Sequence, residues 1–397
     1  MLYDIFVDVY YFDTPLIFLL SELSNFFFCL IILCVLYYFK KLKFQEFIFW
    51  ALGFLSIILL AVTVVGPDMF PDSGGYLRCV RDLRDNFSFD EYACQGTITG
   101  DSELFQFLGF KRSLPAVLFF IIPIPSIASI ISLGFINKIY LLGLYIFIRS
   151  KLSDDKSRFY LLILFFLPTL LLYSATGLRE IIILTIQSVL LFTIIERKLI
   201  ISTIFFLLLA SIKVQNAAVM LVLYAGIFLF RSHKSYFHLI IFLISFLITT
   251  LVFQEQILYV INYFRLGFLN EMKLLPPGGI MTKFESIPSM ILNSPLVFLK
   301  GILSPGLGLS ALNITFFPET ILLIIWFVWG AWYTKYFSDS LNCLVFIVFY
   351  IGIVLNFIVV ENDATFLRYR FTFVYLLMFH LLLMVDKKRK LLVSDGL

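Results

Sequence analysis

Charge is scarce in this sequence. Asp, Glu, Lys and Arg make up 14% of 397 residues, where a soluble domain carries about 25%. Histidine is scarcer still, confined to His233, His238 and His380. No Ser/His/Asp arrangement, phosphate loop or dinucleotide fingerprint occurs, so triad hydrolases, P-loop enzymes and nicotinamide dehydrogenases lack a basis. The five cysteines, Cys29, Cys34, Cys79, Cys94 and Cys343, form no CxxC and no Cys/His pair of zinc spacing. No metal and no cofactor is therefore expected. A net charge of +4 without a basic tract gives no reason to expect a nucleic-acid partner. The opening residues hold Asp4, Asp8 and Asp13 in place of a basic n-region. That argues against a cleaved signal peptide and for a first hydrophobic helix that stays in the protein.

What is abundant is apolar surface: 61% of residues, with a mean hydropathy of +0.99. Runs this long and numerous do not fit inside one water-soluble core, and they predict an all-α, polytopic membrane helix bundle. At 1.5 Å per residue, crossing a hydrocarbon core of about 30 Å takes about 20 residues. Candidate spans are 16–39, 46–65, 126–148, 159–173, 178–195, 199–213, 214–230, 237–253, 319–333, 341–360 and 365–385, about eleven in a single integral membrane domain covering 1–397. Several are short, so their boundaries are soft.

Charge sorting supplies an independent check. With the N-terminus outside, the inner segments are 40–46, 149–158, 196–198, 231–238, 333–340 and 386–397. They hold 16 Lys/Arg against 7 Asp/Glu, while the remainder holds 14 against 19. The expected placement is a bacterial inner membrane, N-terminus periplasmic and C-terminus cytoplasmic. Counting 114–125 as a span would put Arg149, Lys151, Lys156 and Arg158 outside. Pro115, Pro123 and Pro125 also oppose a plain helix. That stretch reads as re-entrant or interfacial, as does 286–303. Two large extracytoplasmic loops result, 66–113 and 254–318, and chemistry is expected at the outer face. All three histidines fall on or near the inner side, where they make poor outer-face bases.

The first loop holds Asp68 and Asp72-Ser-Gly-Gly-Tyr76, then Arg78, Arg81 and Arg84. A helix over 76–85 would align the three arginines in a stripe suited to a diphosphate, or simply form a salted surface helix beside Asp82 and Asp85. Asp68 and Asp72 suit a general base for a sugar hydroxyl, or a plain turn beside Pro and Gly. Cys79 and Cys94 share this loop, as a disulfide or as two thiols. Next comes Thr176-Gly-Leu-Arg179-Glu180, opening an apolar helix. Ionisable groups at membrane depth cost several kcal/mol unless partnered, which makes Arg179 and Glu180 functional candidates; a snorkelling anchor is the alternative. Lys213-Val-Gln215-Asn216 is a polar break placed in the same layer as Arg179. Glu361-Asn-Asp363 precedes Arg368-Tyr-Arg370, with Arg368 one turn inside the last helix. The second loop adds Arg265 and Pro276-Pro-Gly-Gly279, a candidate lid hinge.

These motifs resemble a family. Asp72-Ser-Gly-Gly-Tyr76 is similar to the D-x-x-Y loop of EpsG-like polysaccharide polymerases, and Thr176-Gly-Leu-Arg179-Glu180 resembles their Gly-x-x-Arg-Gln element. Arg197-Lys198 follows as an inner basic turn. Where that family often has a His at the next break, this chain has Lys213-Val-Gln-Asn216. Wzy O-antigen polymerases share the architecture, GT-C-like with large periplasmic loops rich in arginine. The resemblance implies a metal-independent glycosyltransferase that polymerises undecaprenyl-diphosphate-linked oligosaccharides into a surface polysaccharide. Its partners would be those lipid-linked oligosaccharides, membrane lipids and a chain-length regulator protein. Arg78, Arg81, Arg84, Arg179, Lys213, Arg265, Arg368 and Tyr76 would bind substrate, and Asp72, Asp68 or Glu180 would take the acceptor's proton. The rival readings are a GT-C transferase moving one sugar from a polyprenyl phosphate, and a flippase or transporter. No internal repeat supports transport.

Overall fold

The computed structural model describes residues 15–63, 71–87, 113–229, 236–271, 286–303, 311–359 and 363–394. Among them it is all-helical. In chain order the helices are α1 (Pro15–Tyr38), α2 (Phe44–Thr63), α3 (Pro71–Asn86), α4 (Ser113–Ile121), α5 (Ile130–Arg149), α6 (Asp155–Phe165), α7 (Pro168–Ala175) and α8 (Glu180–Ile195). They continue as α9 (Leu199–Ile212), α10 (Val214–Leu229), α11 (Tyr236–Val252), α12 (Gln254–Glu271), α13 (Ile287–Leu303), α14 (Ala311–Thr334), α15 (Ser340–Val359) and α16 (Asp363–Ser394).

Four of the described helices are long and apolar enough to cross a membrane, and six spans result if each sharply bent pair counts as one. Six further apolar helices are shorter. The chain is thus a helical membrane protein. The expected span 159–173 is broken into α6 and α7, bent by 53°, because Pro168 has no N–H to continue the ladder and disfavours helix at the residue before it. The expected loop 254–318 is largely helix, α12, α13 and the first turns of α14, with Pro295 and Pro318 inside helices. The helix expected over 76–85 is longer, starting at Pro71, a position that suits proline because the first turn needs no N–H.

The structure divides into two compact units. Unit 1 comprises residues 1–189 and 211–214. Its centre is α5, which packs on α1, α2, α4, α6 and α7. Close approach of α5 to α7 depends on Gly134, where an added Cβ would stand 2.9 Å from the Ala175 carbonyl oxygen. Segments that charge sorting assigns to one side meet there. Glu46 Oε1 accepts from Tyr145 Oη and from Arg149 Nε, both at 2.7 Å, and Lys43 pairs with Asp155 at 2.8 Å.

At the other end of unit 1, residues 122–129 run without helix before α5. Backbone polar groups taken from water need partners, and here side chains supply them. Arg84 donates to the carbonyls of Ile122 and Ile124 at 2.9 and 2.7 Å. Arg81 donates to those of Ile127 (2.9 Å) and Ala128. Asn25 takes the Ser126 N–H and gives to its carbonyl. Ser129 caps α5 with Ser132 completing the box, and both hydroxyls donate to Glu22 Oε1 at 2.6 and 2.7 Å.

Unit 2 comprises residues 190–210 and 215–397. α15 and α16 pack side by side, α14 lies on α16, and α13 on α15. Gly352 permits the α15–α16 contact, since a Cβ there would meet the Phe373 ring at 2.7 Å. Tyr236 donates to the Phe337 carbonyl, joining the starts of two segments that charge sorting puts on one side. On α11 only Leu239 is buried, while Phe237, Ile240, Ile244 and Ile248 are exposed, an apolar face suited to lipid tails.

Candidate functional site

Two helix breaks build the site in unit 1. Residues 176–179 separate α7 from α8, and Lys213 alone separates α9 from α10. The first break holds its shape through neighbours. Thr176 Oγ1 donates to the Tyr173 carbonyl at 2.8 Å. Asn137 Nδ2, from α5, donates to the carbonyls of Thr176 and Leu178 at 2.6 and 2.9 Å. Gly177 lies against Leu133, 2.8 Å from where a Cβ would be.

Arg179 Nη1 then donates to the Ile212 carbonyl at 2.9 Å. A helix's last carbonyls have no intrahelical partner, so this bond caps α9 and draws the two breaks together. Lys213 is the next residue along from the capped carbonyl. Arg179, Glu180 and Lys213 are all buried, 6%, 0% and 7% exposed. Two cations and one carboxylate thus lie at adjoining breaks in an apolar bundle. Charged groups buried among apolar helices are costly, which makes this a candidate site.

The arginine stripe of α3 divides. Arg78 is exposed, whereas Arg81 and Arg84 turn inward to the 122–128 carbonyls. Burial pulls the Arg84 guanidinium below its ordinary value, with Asp85 acting the other way. The expected diphosphate stripe therefore reduces to Arg78 on that helix, because the other two serve the backbone. Tyr76 is buried against Phe119 of α4, ring centroids 6.0 Å apart. Asp72 is the second residue of α3, inside the helix and not beyond a helix end. Its side chain, that of Arg265 within α12, all of Asp68, Cys94 and the 276–279 hinge lie outside the described residues. Cys79 is in a disulfide, and Cys29, Cys34 and Cys343 are free thiols.

In unit 2, Arg368 is buried with its guanidinium 5.5 Å from the Tyr369 ring centroid. Sequence reasoning named Arg370 but missed Glu319, also in unit 2. Glu319 accepts from Tyr375 at 2.8 Å, and Arg370 donates to Thr320 at 3.0 Å and to the Ile302 carbonyl at the end of α13. In unit 1 it missed Glu22, Asn137 and Lys138. The signal was available for all of them: each is a polar residue interrupting an apolar run. Lys138 is wholly buried, ninth of the 20 residues of α5. Its Nζ is 3.4 Å from Ser174 Oγ, 5.2 Å from the Phe166 ring centroid and 5.6 Å from that of Trp50. An ammonium at this depth costs at least about 3 kcal/mol, and each aromatic face returns about 1–2.

Among the described residues no three His, Cys, Asp or Glu side chains are grouped to hold a metal. No protein-family model, curated protein or solved structure matches the chain.

Proposed function

We propose that the chain polymerises lipid-diphosphate-linked oligosaccharides at the outer face of a bacterial inner membrane, as a glycosyltransferase of the Wzy/EpsG kind with about eleven spans and a GT-C-like plan. The observation that supports this is the Arg179–Ile212 bond, because it ties the break that holds buried Arg179 and Glu180 to the break that holds buried Lys213. In the reaction, an acceptor sugar hydroxyl attacks the anomeric carbon of the donor chain. The new C–O bond forms as the bond from that carbon to the diphosphate oxygen breaks, and the diphosphate leaves with the electron pair. Arg179 and Lys213 neutralise the charge growing on it. The hydroxyl proton passes to a carboxylate, Glu180 in this site, with Asp72 and Asp68 as the other candidates. The apolar bundle faces supply grooves for the polyprenyl tails, and a chain-length regulator is the expected protein partner.

One observation favours a second reading. Helices broken beside charged residues are also how transporters build substrate sites, and 176–179 and Lys213 interrupt apolar helices beside charge. Deleting the gene in its host and separating the surface polysaccharide by size discriminates the two. A single-repeat band in place of a ladder supports the polymerase. Loss of all polysaccharide supports a flippase or an earlier transferase, and an unchanged ladder removes the polymerase reading.

A further inference from the structure

Lys138 is a buried amine that the fold leaves with donors to offer. Its contacts are the Ser174 hydroxyl at 3.4 Å and the faces of Trp50 and Phe166, and no carboxylate is among them. Ser174 Oγ directs its own proton to the Leu171 carbonyl at 2.9 Å. A second donor is unused on the same residue pair: Trp50 Nε1 is buried with no hydrogen-bond partner. A buried indole N–H normally has an acceptor, and a buried ammonium normally has an anion. Both lack one here, which marks the place of an acceptor that is not part of the chain.

The position says which acceptor. Ser174 lies in the last turn of α7, directly before the 176–179 break. The residue beside Lys138, Asn137, holds that break's carbonyls. Lys138 thus contacts a residue just before the break, and Arg179 is the last residue of the break. We propose that Lys138, with Trp50 Nε1, is a binding group for a phosphate-type anion beside the 176–179 break in unit 1. The inference rests on reading that break as an anion site and is independent of whether polymerisation follows.

The structural alternative is that Lys138 only packs, its charge held by the two rings. The alternatives differ in sign. A packing lysine stabilises the fold, whereas a ligand-binding lysine without its ligand weakens it, because the charge is buried uncompensated. The experiment uses the full chain in lipid nanodiscs, with Lys138→Met keeping the side chain's length and removing its charge. Thermal unfolding is followed with and without inorganic diphosphate, farnesyl diphosphate or farnesyl monophosphate. The expected result is an unfolding temperature at or above that of the wild type without ligand, and dissociation constants for the diphosphates raised tenfold or more. Trp50→Phe, which removes the indole N–H and keeps a ring, is expected to weaken the same ligands about threefold. Stabilisation by inorganic diphosphate assigns the site to free anions as well, and stabilisation by the farnesyl compounds alone assigns it to lipid headgroups. A variant that melts below the wild type, or one that binds as tightly, overturns the proposal. Wild-type protein that binds none of the three removes the anion site as a whole.

Discussion

Arg81 and Arg84 are the sharpest place to separate a structural arginine from a functional one. Arg84 holds the carbonyls of Ile122 and Ile124 at 2.9 and 2.7 Å, and Arg84→Met removes both bonds. Leaving a buried acceptor unpaired costs about 1–3 kcal/mol, so two cost roughly 2–6. Arg84 is only partly buried, and water reaching one carbonyl reduces this to about 2–4 kcal/mol. At about 2 °C per kcal/mol for a chain of this size, the unfolding temperature falls by roughly 4–8 °C. Arg84→Lys should recover about half, because an ammonium cannot reproduce the planar fork that spans two carbonyls. Arg78→Met, on the exposed face of the same helix, should shift unfolding by no more than about 1 °C. The assay is thermal unfolding of the purified chain in detergent micelles, run beside activity for each variant. If Arg84→Met and Arg78→Met unfold together while Arg84→Met alone loses activity, the clamp is not structural. The arginine then returns to the substrate.

Two further outcomes follow from the packing. Glu46→Gln keeps the shape but weakens the charge-assisted bonds from Tyr145 and Arg149 and leaves the arginine without its anion. A loss of about 2–4 kcal/mol is expected from breaking this largely buried pair, read as the shift in unfolding midpoint, and an unchanged midpoint would contradict it. Gly134→Ala places a methyl 2.9 Å from backbone that cannot rotate away, so overpacking of about 1–3 kcal/mol is expected. Proteolysis of the folded protein, comparing Gly134→Ala with Gly143→Ala where nothing lies within 4 Å, distinguishes contact strain from a general effect of alanine.

Much of the helical layout was legible because apolar runs and charged turns alternate along the chain. The turns at 40–43 and 150–154 are both there, and in each unit one pair of segments that charge sorting groups together is in contact. What was hidden has physical causes. The break of 159–173 was signalled by Pro168, but apolar residues flank it so evenly that hydropathy alone runs through. The 74° bend between α11 and α12 has no proline or glycine to announce it. The polar clamps could not be read because their partners are far apart in sequence. Glu22 meets Ser129 and Ser132 across more than 100 residues, and Arg81 and Arg84 find carbonyls, which carry no sequence signal. Arg179 and Lys213 were recognisable from composition, as charges interrupting apolar helix. That Arg179 reaches the carbonyl next to Lys213 was not.

The most direct test of the account supplies purified chain in nanodiscs with a synthetic repeat unit carried on polyprenyl diphosphate, and follows product length by mass. The account predicts oligomers lengthening one repeat at a time with release of polyprenyl diphosphate. Arg179→Lys, which preserves a cation to cap Ile212, should slow the reaction by about 10²–10³-fold while staying folded, the scale set by removing one preorganised donor to a developing anion. Substrate recovered unchanged with wild-type protein, or equal rates with Arg179→Lys, would contradict it.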